Sequence, residues 1–153
     1  MTHRARTALL LPLLLVSGCG IFQVPSQHKP DCSWDVAVPA NADHLCTVSF
    51  DTVSAVVRAQ VAGNDAAIRR IATTPRVARR IISYGRQKRA EGIIYLHVVP
   101  SITLTITAQH KLGVGIYITG KTHHSTVSDP ETVYLRVHGN RGTIIDDQPN
   151  QVW

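Results

Sequence analysis

At 153 residues the chain has room for one domain with a modest core, which excludes a two-domain organisation. Sixteen lysines and arginines face ten acids, for a formal net charge of +6, and the excess is concentrated in one stretch rather than spread. Three cysteines are an odd number, so a framework made only of paired thiols is excluded as well.

Residues 1–18 read as a secretory signal peptide. Arg4 and Arg6 form the basic end, Ala8 to Val16 the apolar segment, and Ser17-Gly18 the small residues that precede a cut. The apolar segment is too short for a bilayer-spanning helix, which needs about 20 residues. Val16-Ser17-Gly18 runs directly into Cys19 and resembles the lipobox of bacterial lipoproteins, with Val16 where leucine is usual and Leu15 one place earlier. The resemblance covers the first 20 residues. It implies diacylglyceryl transfer to the Cys19 thiol, cleavage before it, acylation of the new amine with palmitate-type chains, and a mature protein on the extracytoplasmic face of the cell membrane. Gly20 carries no strong retention signal, which leaves an outer membrane open where the cell has one. An ordinary secretory signal followed by an incidental cysteine is the competing reading.

Cysteine parity favours the anchor. Lipidation of Cys19 leaves Cys32 and Cys46 as a pair, and closing the stretch between them stabilises a domain by about 3 kcal/mol where geometry permits. Residues 20–31, with two prolines, form a tether reaching about 40 Å at full stretch. Residues 19–47 are therefore expected to hold the lipid anchor, the tether and an irregular disulfide loop, and residues 48–153 a single α+β domain.

A first helix is expected from a cap at Asp51 or Thr52 to Gly63, with Val53, Val56, Val57 and Val61 on one face. Asn64 or Asp65 caps a second, short helix with Ile68 and Ile71 inward. Thr74 caps a third, with Pro75 in its first turn and Val77, Ala78, Ile81 and Ile82 as its apolar stripe, closing at Gly92.

After Gly92 the period turns to alternation. Strands are expected at 93–99, at 102–108 after a bend at Pro100-Ser101, at 112–121, at 132–138, and after the turn "GNRG" at 143–147. Ile102, Leu104 and Ile106 face one side while Thr103, Thr105 and Thr107 face the other. Gly113 and Gly115 are expected to mark a bulge or bend that curls the sheet. Helices first and an antiparallel meander after give an α+β fold, with N-terminal helices packed on one face of a curved antiparallel sheet. Over residues 48–148 that order of elements resembles the nuclear transport factor-like cone fold, the superfamily of ketosteroid isomerase and scytalone dehydratase. The resemblance implies a cone-like sheet, and either an accessory role in envelope machinery or a pocket.

No catalytic motif emerges. A histidine working with an aspartate is the pattern such pockets use, and His97, His110 or His138 with Asp65, Asp146 or Asp147 are the candidates; a hydrogen-bonded strand histidine is the commoner outcome. His123-His124 are adjacent, so a strand points them to opposite faces and they make a poor metal pair. No catalytic residue, cofactor or metal is assigned. The alternative to a noncatalytic module is an apolar-ligand or isomerase-like pocket lined by Ile102, Leu104, Ile106, Val114, Ile116 and Ile118.

Charge supplies the remaining signal. Arg58, Arg69, Arg70, Arg76, Arg79, Arg80, Arg86, Lys88 and Arg89 face a single acid, Asp65. Few aromatics accompany them and an exported lipoprotein meets little nucleic acid, so the expected partners are anionic headgroups, wall polymer or an unidentified envelope protein, with Arg69 to Arg89 as the binding surface. The leading reading is a membrane-anchored, noncatalytic binding or assembly module of the cell envelope, accessory to transport or secretion or serving phage immunity.

Overall fold

The computed structural model describes residues 29–93, 95–107, 109 and 111–145; Cys19, His110, Asp146 and Asp147 lie outside them. Helix α1 spans Ala42–Ala62, starting well before the expected cap at Asp51. Thr52 is instead buried in mid-helix, its hydroxyl donating to the Val48 carbonyl at 2.6 Å. The buried stripe of α1 mixes Cys46, Ser49 and Thr52 with Val53, Val56 and Val57, so its first half lacks an unbroken apolar period. Gly63 ends the helix at φ +65°, the left-handed conformation that glycine adopts without a Cβ penalty.

Helix α2 (Asp65–Ile71) and helix α3 (Pro75–Ala90) follow. Their caps are those the sequence indicates. The Asn64 side chain accepts from the Ala67 N–H at 3.0 Å, and the Thr74 hydroxyl accepts from the Val77 N–H at 3.2 Å, with Pro75 leading α3. Where α3 crosses α1, a Cβ on Gly85 would lie 3.0 Å from the side chain of Gln60, so the crossing depends on glycine there.

Six strands form one sheet: β1 (Asp31–Trp34), β2 (Tyr95–Val98), β3 (Ser101–Ile106), β4 (Leu112–Lys121), β5 (Thr126–His138) and β6 (Arg141–Ile144). The order is β1-β3-β4-β5-β6, and β2 pairs with the far half of the same edge of β4 that β3 occupies. Val98 opposes Ile118 and Thr103 opposes Gly115, so Val99 to Ile102 face only Ile116 and Tyr117. The strand pair bulges at Pro100, as the expected bend implies, and the Val99 N–H still reaches the Tyr117 carbonyl at 2.9 Å. Strand β1 was not expected. It runs parallel to β3, which makes the sheet mixed rather than a pure meander.

Register places Ile102, Leu104, Val114, Ile116, Ile118, Val133, Leu135 and Ile144 on one face, under α1, where each is 2% exposed or less. Helix α1 crosses that face between β2 and β6, and α3 packs outside on α1 and α2. The opposite face carries Thr103, Thr105, Gly113, Gly115, Tyr117, Thr132 and Tyr134.

The α+β class holds, but the cone does not. The sheet is neither closed nor strongly curled: it ends in β1 on one side and β6 on the other, and no ladder among the described residues joins them. Gly113 and Gly115 sit in regular register opposite Thr105 and Thr103 rather than in a bulge, so they supply no curl. At Gly113 the missing side chain allows close lateral packing, since a Cβ there would lie 2.8 Å from the Thr105 methyl and 3.4 Å from the Tyr134 ring. The resemblance to the cone superfamily rested on element order alone, and the parallel β1 and the open sheet overturn it.

Candidate functional site

Two features carry the functional argument, the joined cysteines and the arginine-rich helices. Cys32 on β1 and Cys46 in the second turn of α1 form a disulfide with Cα atoms 6.0 Å apart. The pairing expected from parity is present, but it staples a strand to a helix instead of closing an irregular loop. Strand β1 is four residues long and pairs with β3, about seventy residues away, so the covalent link supplies what local propensity cannot.

Outside the disulfide, the chain enters the described fold beside the first turn of α1, where Lys29 Nζ lies 3.4 Å from the Asp43 carboxylate. His44, a residue that sequence reasoning passed over, places Nε2 2.9 Å from the Gly139 carbonyl and ties this end of α1 to the β5–β6 turn. Exposed Asp31, Asp35, Asp43 and Asp51 all belong to β1, the segment just after it or the first half of α1. None of this was visible in the spacing of the residues.

The basic residues gather on α2 and α3, which pack beside the C-terminal half of α1. On α3, Arg76, Arg79 and Arg86 are exposed at helical spacing together with Ser83, while Val77, Ala78, Ile81, Ile82, Tyr84 and Gly85 are buried. Arg69 and Arg70 are exposed in the last turn of α2, where cations also suit the helix dipole. The eight residues expected to act together divide in two. Arg86 pairs with Asp65 at 2.6 Å; Lys88 lies 3.3 Å from Glu91 and 5.2 Å from the centre of the Tyr84 ring; Arg89 donates to the Gln60 carbonyl at the end of α1. Arg86 and Arg89 tie α3 to α2 and α1, whereas the Lys88 contacts with Glu91 and Tyr84 lie within α3 and its cap. The side-chain amide of Gln87, followed by Lys88, holds the Glu91 carboxyl below its ordinary range. Arg69, Arg70, Arg76 and Arg79 are the outward part of the ridge, with Arg80 half-buried beside them.

Among the described residues the histidine candidates do not converge. His97 is exposed, on the face away from the helices, with Nδ1 2.8 Å from the Thr119 hydroxyl. Asp65 is engaged by Arg86, and His138 is exposed at the end of β5. His123 and His124 occupy the β4–β5 turn, where the Thr122 hydroxyl accepts from the His124 N–H at 3.2 Å. Among the described residues no group of three potential ligands could hold a metal ion, and no helix is long and apolar enough to cross a membrane. Of the six residues proposed to line a pocket, five are packed core; Ile106 alone is 40% exposed. It borders an open groove of about 400 Å³ with Leu45, Leu112, Leu135, Val137 and Ile145 at one end of the sheet.

No protein-family model, curated protein or solved structure matches this chain.

Proposed function

We propose that the protein is a lipid-anchored, extracytoplasmic lipoprotein whose folded domain serves as a noncatalytic binding or assembly module of the cell envelope, with the outward arginines of α2 and α3 as its contact surface. The observation that carries the reading is the Cys32–Cys46 disulfide. It takes two of the three cysteines and leaves Cys19, behind a signal-like segment, as the thiol to be accounted for. A structural disulfide also suits an oxidising compartment outside the cytoplasm. Two acyl chains contribute about 0.8 kcal/mol per buried methylene, so a thioether and an amide anchor hold a domain of this size without a spanning helix. Of the described acid–base candidates His97 and Asp65 are engaged separately, by Thr119 and Arg86, while Arg69, Arg70 and Arg79 are exposed on neighbouring helices.

Membrane fractionation tests the anchor. The wild-type protein is expected to sediment with membranes and to need detergent for release, and the Cys19→Ser variant is expected to stay with its leader uncut. A Cys19→Ser protein that is processed and located like the wild type contradicts the reading.

A further inference from the structure

The ridge and the point of attachment lie toward opposite ends of the domain, and this separation bears on what the ridge meets. Helix α1 has 21 residues and is about 31 Å long. Its first turns hold the disulfide and the Lys29–Asp43 contact, where the chain arrives from Cys19. Its last turn meets α3 through Gln60, Gly85 and Arg89, and α2 starts just beyond it. From Cys19 to Lys29 the chain spans at most about 35 Å. That reach is close to the length of α1, so turning the domain over to press the ridge on the anchoring bilayer would use nearly all the slack.

Charge divides the same way. Nine cations from Arg58 to Arg89 face Asp65 alone, whereas the rest of the chain from Cys19 onward has five cations against nine acids. At physiological salt a bilayer's charge is felt over about 8 Å, far less than the length of α1, so with the attached end nearest the membrane the ridge lies outside its field.

Resting on the lipoprotein reading above, we infer that the ridge of Arg69, Arg70 and Arg79 faces away from the anchoring membrane and binds a linear anionic polymer of the envelope. Two features fit a chain of repeating charges better than a protein interface. Arg69 and Arg70 close α2 and Arg79 stands in the first turns of α3, so exposed cations on two successive helices are set only a few residues apart. In addition, the large exposed apolar side chains of the described residues, Val36, Val38, Ile106 and Tyr117, all lie outside α2 and α3. A protein partner needs an aromatic or aliphatic centre to dock on, and a hydrophilic polyanion does not. Arginine forks suit phosphate and carboxylate groups alike.

The test uses the mature full-length lipoprotein in vesicles of phosphatidylcholine alone or with phosphatidylglycerol, titrated with polyphosphate in one arm and polygalacturonate in the other. Binding to at least one polymer is expected in both lipids, falling steeply with salt. The triple variant Arg69→Gln, Arg70→Gln, Arg79→Gln should bind on the order of a hundredfold more weakly, while keeping the wild-type circular dichroism spectrum. Lys121→Gln with Arg136→Gln, on the open sheet face, should bind as wild type. Absence of polymer binding, or a triple variant that binds undiminished, overturns the proposal. So does binding that disappears when phosphatidylglycerol is present, because the headgroups then occupy the ridge. Failure of the anchor itself reads differently: the protein does not float with vesicles, and polymer binding by the Cys19→Ser chain in solution still decides whether the ridge is a polyanion site.

Discussion

Gly142 on β6 has no room for a side chain. A Cβ there would collide with the Thr52 hydroxyl and lie 3.0 Å from the Thr52 Cβ, so the missing side chain lets α1 approach β6 closely. Gly142→Ala is therefore expected to destabilise the domain by about 1–3 kcal/mol in urea unfolding. In a Thr52→Ala background the loss should shrink, since the hydroxyl and methyl are gone and only the Cβ contact at 3.0 Å remains. An unchanged midpoint for Gly142→Ala would show that α1 does not seat there. The same contact explains a misreading. Thr52 has the chemistry of a cap and was taken for one, yet a threonine hydroxyl can also bond back to the carbonyl four residues earlier inside a helix. The single residue does not reveal which; its distance from Gly142, ninety positions later, does.

Strands β1 and β5 show how elements depend on pairing that a linear reading does not contain. The sequence indicated β5 only from Thr132, whereas it begins at Thr126 and includes Pro130. Proline is tolerated because the Tyr117 carbonyl accepts from Val99 on the other side of β4, so Tyr117 directs its backbone groups away from β5. Pro130, directly opposite, then turns its nitrogen to the outer edge, which β6 leaves uncovered because it pairs only with Leu135–His138. An edge without that donor is a poor template for another chain. Pro130→Val should fold with similar stability but self-associate with rising concentration in sedimentation velocity; a persistent monomer would contradict the edge argument. For β1, replacing Cys32 and Cys46 together by serine is expected to lower stability by about 3 kcal/mol. Hydrogen exchange should speed up first at β1, and uniform loss across the sheet would show that β1 is not the dependent element. By contrast α2, α3, β3 and β4 were legible, because asparagine and threonine caps, a first-turn proline and strict alternation act within a few residues.

Over the whole molecule, composition indicated the class and the charge imbalance, and the coordinates show where the imbalance sits. Counting placed eight basic residues in one binding surface, but Arg86 and Arg89 tie α3 to its neighbouring helices, Lys88 is engaged by Glu91 and Tyr84, and the outward set is smaller. The curl was misread because glycines in a strand serve bends and close lateral packing alike, and only the register of β3 on β4 separates the two. The polarity of the domain, with carboxylates around β1 and the first half of α1 and arginines on the helices beside its C-terminal half, could not be read from the chain, since it depends on which end of α1 meets β1. Anchor, staple and ridge form one argument, in which lipidation of Cys19 decides what the other two are for. The most direct measurement is the intact mass of the protein extracted from its native membrane. The account predicts a chain starting at Cys19, carrying a diacylglyceryl group and one disulfide between Cys32 and Cys46; a chain that retains residues 1–18, or begins at Cys19 with an unmodified thiol, would contradict it.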